Sequence, residues 1–63
     1  MKIVIEYRDP TPAHCDVAVF VNGGKAGTLR LRQDELASFE QILRRGCETP
    51  GDEFVARGHT ECN

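Results

Sequence analysis

Apolar residues alternate with polar ones in three early stretches of the chain and take up a helical period only once. Ile3, Ile5 and Tyr7 alternate with Val4 and Glu6, so residues 2–7 predict a first strand. It closes at Arg8-Asp9-Pro10-Thr11-Pro12, where two prolines withdraw ladder donors. Two further β-rich runs, roughly residues 16–21 and 26–32, flank Asn22-Gly23-Gly24. Asn and Gly enter positive φ at low cost, so this spacing predicts a β-hairpin.

The hairpin's register follows from packing, because a one-residue slip moves every side chain to the opposite face. A two-residue loop would place Val17, Val19 and Val21 on the face of Thr28 and Arg30. A three-residue loop places them with Leu29 and Leu31. The expectation is therefore a three-residue loop, Asn22-Gly23-Gly24, built as a type I turn with Gly24 left-handed as a bulge.

Leu36, Phe39, Ile42 and Leu43 then recur at helical spacing and form one apolar stripe. Asp34 and Glu35 fall in the first turn and Arg44 and Arg45 in the last, as the helix dipole favours, and Gly46 is expected to take the left-handed terminal position. Glu40 lies four residues before Arg44, the spacing of a facing pair. Beyond Thr49-Pro50-Gly51-Asp52, residues 53–57 read as a fourth strand. The implied fold is a single α+β domain, β-β-β-α-β. It has a four-stranded, mostly antiparallel sheet in the order 3-2-1-4 and one helix packed on one face by a right-handed crossover. Residues 1–58 make the domain and 59–63 a flexible tail. The expected core layer is Ile3, Ile5, Tyr7, Val17, Val19, Val21, Leu29, Leu31, Phe54 and Ala56, facing the four apolar helix residues.

One helix leaves the second face of the sheet without a cover. The same alternation puts Val4, Glu6, Ala18, Phe20, Thr28, Arg30, Val55 and Arg57 there. An apolar patch with a polar rim commonly marks an interaction surface, although an antiparallel sheet can also simply leave one face wet. Val4, Phe20, Arg30 and Arg57 are the candidate partner-binding residues. Asp34 and Glu35 are a second choice, as carboxylates that, with Glu48, Asp52 and Glu53, imitate phosphates toward a basic partner.

Charge changes this picture only in distribution. The net charge is −2, too small and of the wrong sign to hold nucleic acid or a membrane surface by a general field. Residues 1–32 carry a net +2 and residues 33–63 a net −4. Single-stranded nucleic acid stacked on the sheet is the alternative use of the open face, but only Phe20 would be central to it. Three cysteines, Cys15, Cys47 and Cys62, cannot complete an internal disulfide framework, which fits a reducing cytoplasm. His14, Cys15, Cys47, His59 and Cys62 are candidate zinc ligands if the Pro-rich loop, the helix end and the tail meet, yet no Cys-x-x-Cys pair is present. The opposing expectation packs Cys15 and Cys47 at element ends, with no metal and no cofactor. Met1-Lys2-Ile3-Val4-Ile5-Glu6 reaches a charge after three apolar residues, short of a signal-peptide core or a membrane span.

Sixty-three residues lie near the lower limit for an independent fold and leave little wall from which to build a catalytic cleft. In size and organisation only, the chain resembles the small accessory proteins of phages and other mobile elements, among them anti-CRISPR and other anti-defence inhibitors. The expectation from the open face and the small size is a non-enzymatic interaction protein that occupies a partner's surface or forms a homodimer through that face, and the resemblance adds inhibition of a defence system as one way to use it.

Overall fold

The structure is a computed structural model that describes residues 1–61. Strand β1 spans Lys2–Arg8, β2 His14–Val21, β3 Gly24–Arg32 and β4 Glu53–Gly58; a 3₁₀ turn, Gln33–Glu35, leads into helix α1, Leu36–Gly46. The sheet order is β3-β2-β1-β4, with β1 parallel to β4 and antiparallel to β2, and β2 antiparallel to β3. The expected fold and strand order are those observed. Among the described residues no helix is long and apolar enough to cross a membrane.

The hairpin reaches the expected register by a different route. Val17 faces Leu29 and Cys15 faces Leu31, so the valines share a face with the leucines. At the tip, however, Val21 faces Gly24 and Phe20 faces Lys25, which makes the loop two residues long. Both loop residues have positive φ, Asn22 at 52° and Gly23 at 86°, as a type I′ turn requires. Gly24 is not left-handed. The offset residue is instead Ala26, absorbed in a bulge where the partner of Val19 is Gly27. A type I′ turn matches the right-handed twist of its strands, and the bulge then restores the register that buries the valines. Asn22 also anchors the turn to β1: its side-chain oxygen accepts from the Lys2 amide at 2.9 Å and its own amide donates to the Lys2 carbonyl at 2.8 Å.

The core is small. Ile3, Ile5, Cys15, Val17 and Leu36 are buried, with Tyr7, Val19, Leu31, Phe39, Leu43, Cys47 and Phe54 packed around them. Four expected members stand outside it: Val21 and Leu29, which are half-buried but not packed on the cluster, and two exposed residues. Ala56 is exposed, and Ile42 is 68% exposed. Leu36, Phe39, Leu43 and Cys47 recur every three or four residues and define the buried stripe; Ile42 lies roughly 100° around the helix from its centre. Cys15 takes a core place because β2 begins at His14, earlier than the sequence pattern suggested.

The helix also ends otherwise than expected. Gly46 keeps an ordinary φ, and the closing contact is the Cys47 amide donating to the Arg44 carbonyl at 3.0 Å. Asp34 and Glu35 lie in the 3₁₀ turn, where the Glu35 carboxylate accepts from the Arg32 amide at 3.0 Å.

These two glycines have opposite conformational demands. Gly23→Ala places a side chain at φ +86° and is expected to cost about 1–2 kcal/mol. Gly46→Ala meets nothing within 4 Å and is expected to gain about 0.4–1 kcal/mol. Urea midpoints of the two variants check this; a destabilising Gly46→Ala would restore the left-handed helix end.

Candidate functional site

Register fixes what lies on the face that α1 does not cover. One row across the sheet is Lys25, Phe20, Val4 and Val55, the next is Thr28, Ala18, Glu6 and Arg57, and the next brings Arg30, Asp16 and Arg8 together. Paired residues share a face, so these rows form one continuous surface. Ala18 at its middle is fully buried, shielded by the larger side chains around it. Phe20 is not under the helix: with Lys2, Val4, Glu6, Gly23 and Arg57 it lines a shallow depression of about 210 Å³.

Of the candidate residues, Val4, Phe20 and Arg57 are thus brought together. Arg30 is on the same face but four β2 residues away from Phe20, about 13 Å along the strand, and its Nε donates to Asp16 Oδ1 at 3.0 Å. Asp34 and Glu35 are remote from the patch and lie 3.4 and 3.6 Å from the Arg32 guanidinium. They border a separate groove between β3 and α1, lined by Leu31, Phe39 and Ile42.

Sequence reasoning missed Lys25. A three-residue loop would have set it opposite Val21, on the core face. The two-residue turn sets it opposite Phe20, and the bulge at Ala26 follows it. The signal available was Asn22-Gly23, the preferred type I′ pair, read together with the valine–leucine register; only a bulge satisfies both.

The opposite face is held by a polar clamp. The Tyr7 hydroxyl donates to Glu40 Oε2 at 3.2 Å, Arg44 donates to Glu40 Oε1 at 3.0 Å, and the Arg44 guanidinium lies 4.9 Å from the Phe54 ring centre. This joins α1 to β1 and β4 in one chain of contacts. Burial, and then the Glu40 charge, push the Tyr7 phenol up to about 12.

The candidate metal ligands do not assemble. His14 and Cys15 are neighbours on β2 and so point to opposite faces. Cys15 is fully buried, its thiol sits 3.5 Å from the Arg8 carbonyl and 3.4 Å from the Asp16 carbonyl, and burial pushes it up. Cys47 lies near the Met1 end of β1, about 20 Å from the Arg8 end by strand rise. Among the described residues no group of three or more His, Cys, Asp or Glu side chains is placed to hold a metal ion. Cys62 lies outside the described residues. Of the expected tail, Thr60 accepts a hydrogen bond from the Gln33 side chain, which also donates to the Thr11 carbonyl at 2.9 Å.

No protein-family model matches the chain, and neither a curated protein nor a solved structure matches it.

Tyr7 is the single tyrosine, so its titration can be read directly. Its folded pKa stands above the ordinary 10.0, so folding favours the neutral phenol. That contribution is complete below pH 10 and is lost as pH rises through about 12. Phenolate absorbance is expected to show the raised midpoint. In Glu40→Gln it should fall yet stay above 10.0, because burial is the larger cause. A midpoint at 10.0 in the wild-type protein would contradict the clamp.

Proposed function

We propose that this chain is a non-enzymatic protein-interaction module that acts by occupying a partner's surface with its open sheet face. One observation carries the reading: Phe20, Val4 and Val55 stand side by side in one row of the face that lacks a helix, and Phe20 and Val4 line a depression with Lys2, Glu6 and Arg57 around it. Apolar centre and charged rim is the anatomy of a binding patch. A small sheet with one helix has no second layer of its own to bury that row.

The chemistry elsewhere supports binding rather than catalysis. The Cys15 thiol is enclosed and pushed toward its neutral form, which removes it as a nucleophile. Cys15 and Cys47 are free and sit at opposite ends of the sheet, and the setting we assign is a reducing cytoplasm. Occlusion of a partner's surface is also how the small inhibitors that the chain resembles in size would act.

Tagged wild-type protein and Phe20→Glu should separate in capture from a host lysate. Phe20→Glu places a charge at the centre of the row without touching the core on the other face. The expected result is a nuclease-resistant protein partner retained by the wild type and lost from Phe20→Glu, with both proteins equally folded by circular dichroism. Equal capture by the two would remove the face from the function; recovery that nuclease abolishes would replace a protein partner by nucleic acid.

A further inference from the structure

The charges of the open face are not evenly matched. Glu6 lies 3.3 Å from Arg8, Asp16 3.0 Å from Arg30 and Glu53 4.0 Å from Lys2. Every carboxylate that the register places on this face therefore has a cation of the same face beside it. Lys25 and Arg57 are left over: among the described residues neither has an ion pair or a side-chain hydrogen bond. They bracket the apolar row, Lys25 opposite Phe20 on β3 and Arg57 two residues beyond Val55 on β4.

Resting on the interaction reading above, we propose that the occupant of this face is an acidic protein segment, which lays an apolar side chain against Phe20 and Val4 and pairs its carboxylates with Lys25 and Arg57. The spacing defines it further. Those two positions are three strand spacings and one two-residue step apart, about 16 Å. An extended segment crosses that distance in about four or five residues. The segment thus carries two acidic residues four or five apart with an apolar residue between them.

A second copy of the chain fits less well. A two-fold contact sets the same patch against itself, so the surplus cations of both copies would enter one interface without partners, and unpaired charges in an interface are costly. Nucleic acid has the right sign but the wrong match. Two free cations neutralise about two phosphates, Phe20 is the one aromatic in the row, and its neighbours Val4 and Val55 offer no stacking plane.

The test uses isotope-labelled full-length chain and three probes: a peptide with two glutamates flanking a leucine at this spacing, the same peptide with glutamine for glutamate, and oligothymidine. Saturable amide shifts centred on Phe20, Lys25, Val55 and Arg57 are expected with the glutamate peptide alone. Lys25→Glu and Arg57→Glu should each weaken binding by about tenfold, and replacing one peptide glutamate by lysine should recover binding to Arg57→Glu. Stronger binding of oligothymidine, binding indifferent to both reversals, or no saturable shift with the glutamate peptide overturns the proposal. Equal binding of the glutamine peptide that Phe20→Glu abolishes overturns the acidic partner but leaves the interaction face standing. So does a dimer seen by light scattering and broken by Phe20→Glu.

Discussion

A four-stranded sheet has two faces, and the one helix among the described residues covers a single one of them. The remaining organisation follows from which residues the β2–β3 register sends to each side. With Val17 opposite Leu29 and Cys15 opposite Leu31, the β-branched and aliphatic residues of the hairpin go beneath α1. Phe20 and Ala18 go to the other side. A slip of one residue would exchange the two sets, burying Thr28 and Arg30 against Leu36. The tight Asn22-Gly23 turn brings Lys25 beside Phe20, and the bulge at Ala26 is the device that reconciles that turn with the register of the valines. Fold and candidate site thus depend on the turn and the bulge together.

Covering one face is itself asymmetric. The clamp formed by Tyr7, Glu40, Arg44 and Phe54 draws α1 toward β1 and β4. On the other flank of the helix Ile42 remains 68% exposed, beside Leu31 and Phe39 in the groove toward β3. The clamp members are individually modest, since exposed ion pairs contribute about 0–1 kcal/mol and a cation–π contact about 0.5–1 kcal/mol. Their effect lies in sharing one carboxylate: Glu40 fixes the Tyr7 hydroxyl and the Arg44 guanidinium at once, and so sets the rotation of the helix over the sheet.

Much of this was legible in the residues. Alternation in residues 2–7 and 16–21, the Asn-Gly turn and the single helical stripe suffice for the strand order and for the side on which Val4, Phe20 and Arg57 lie. What escaped was two-dimensional. Ile42 follows Phe39 at helical spacing, yet it lies roughly 100° from the centre of the stripe that Leu36, Phe39 and Leu43 define, on the flank away from the clamp. Cys15 reads as a loop residue until His14 is seen to pair with Arg32, which extends β2 over the core. Lys25 depends on where an extra residue is accommodated, and turn and bulge leave the same register in the valines. The separation of Arg30 from Phe20 is likewise a matter of distance along a strand, invisible to a pattern that records only faces.

Solvent exposure of the two faces, measured by paramagnetic relaxation from a soluble agent on methyl and ring protons, tests the central assignment most directly. The expected result is strong relaxation of Phe20, Val4 and Val55, with Ile5 and Val17 protected. Protection of Phe20 together with relaxation of Val17 would contradict the register, and with it both the core and the site.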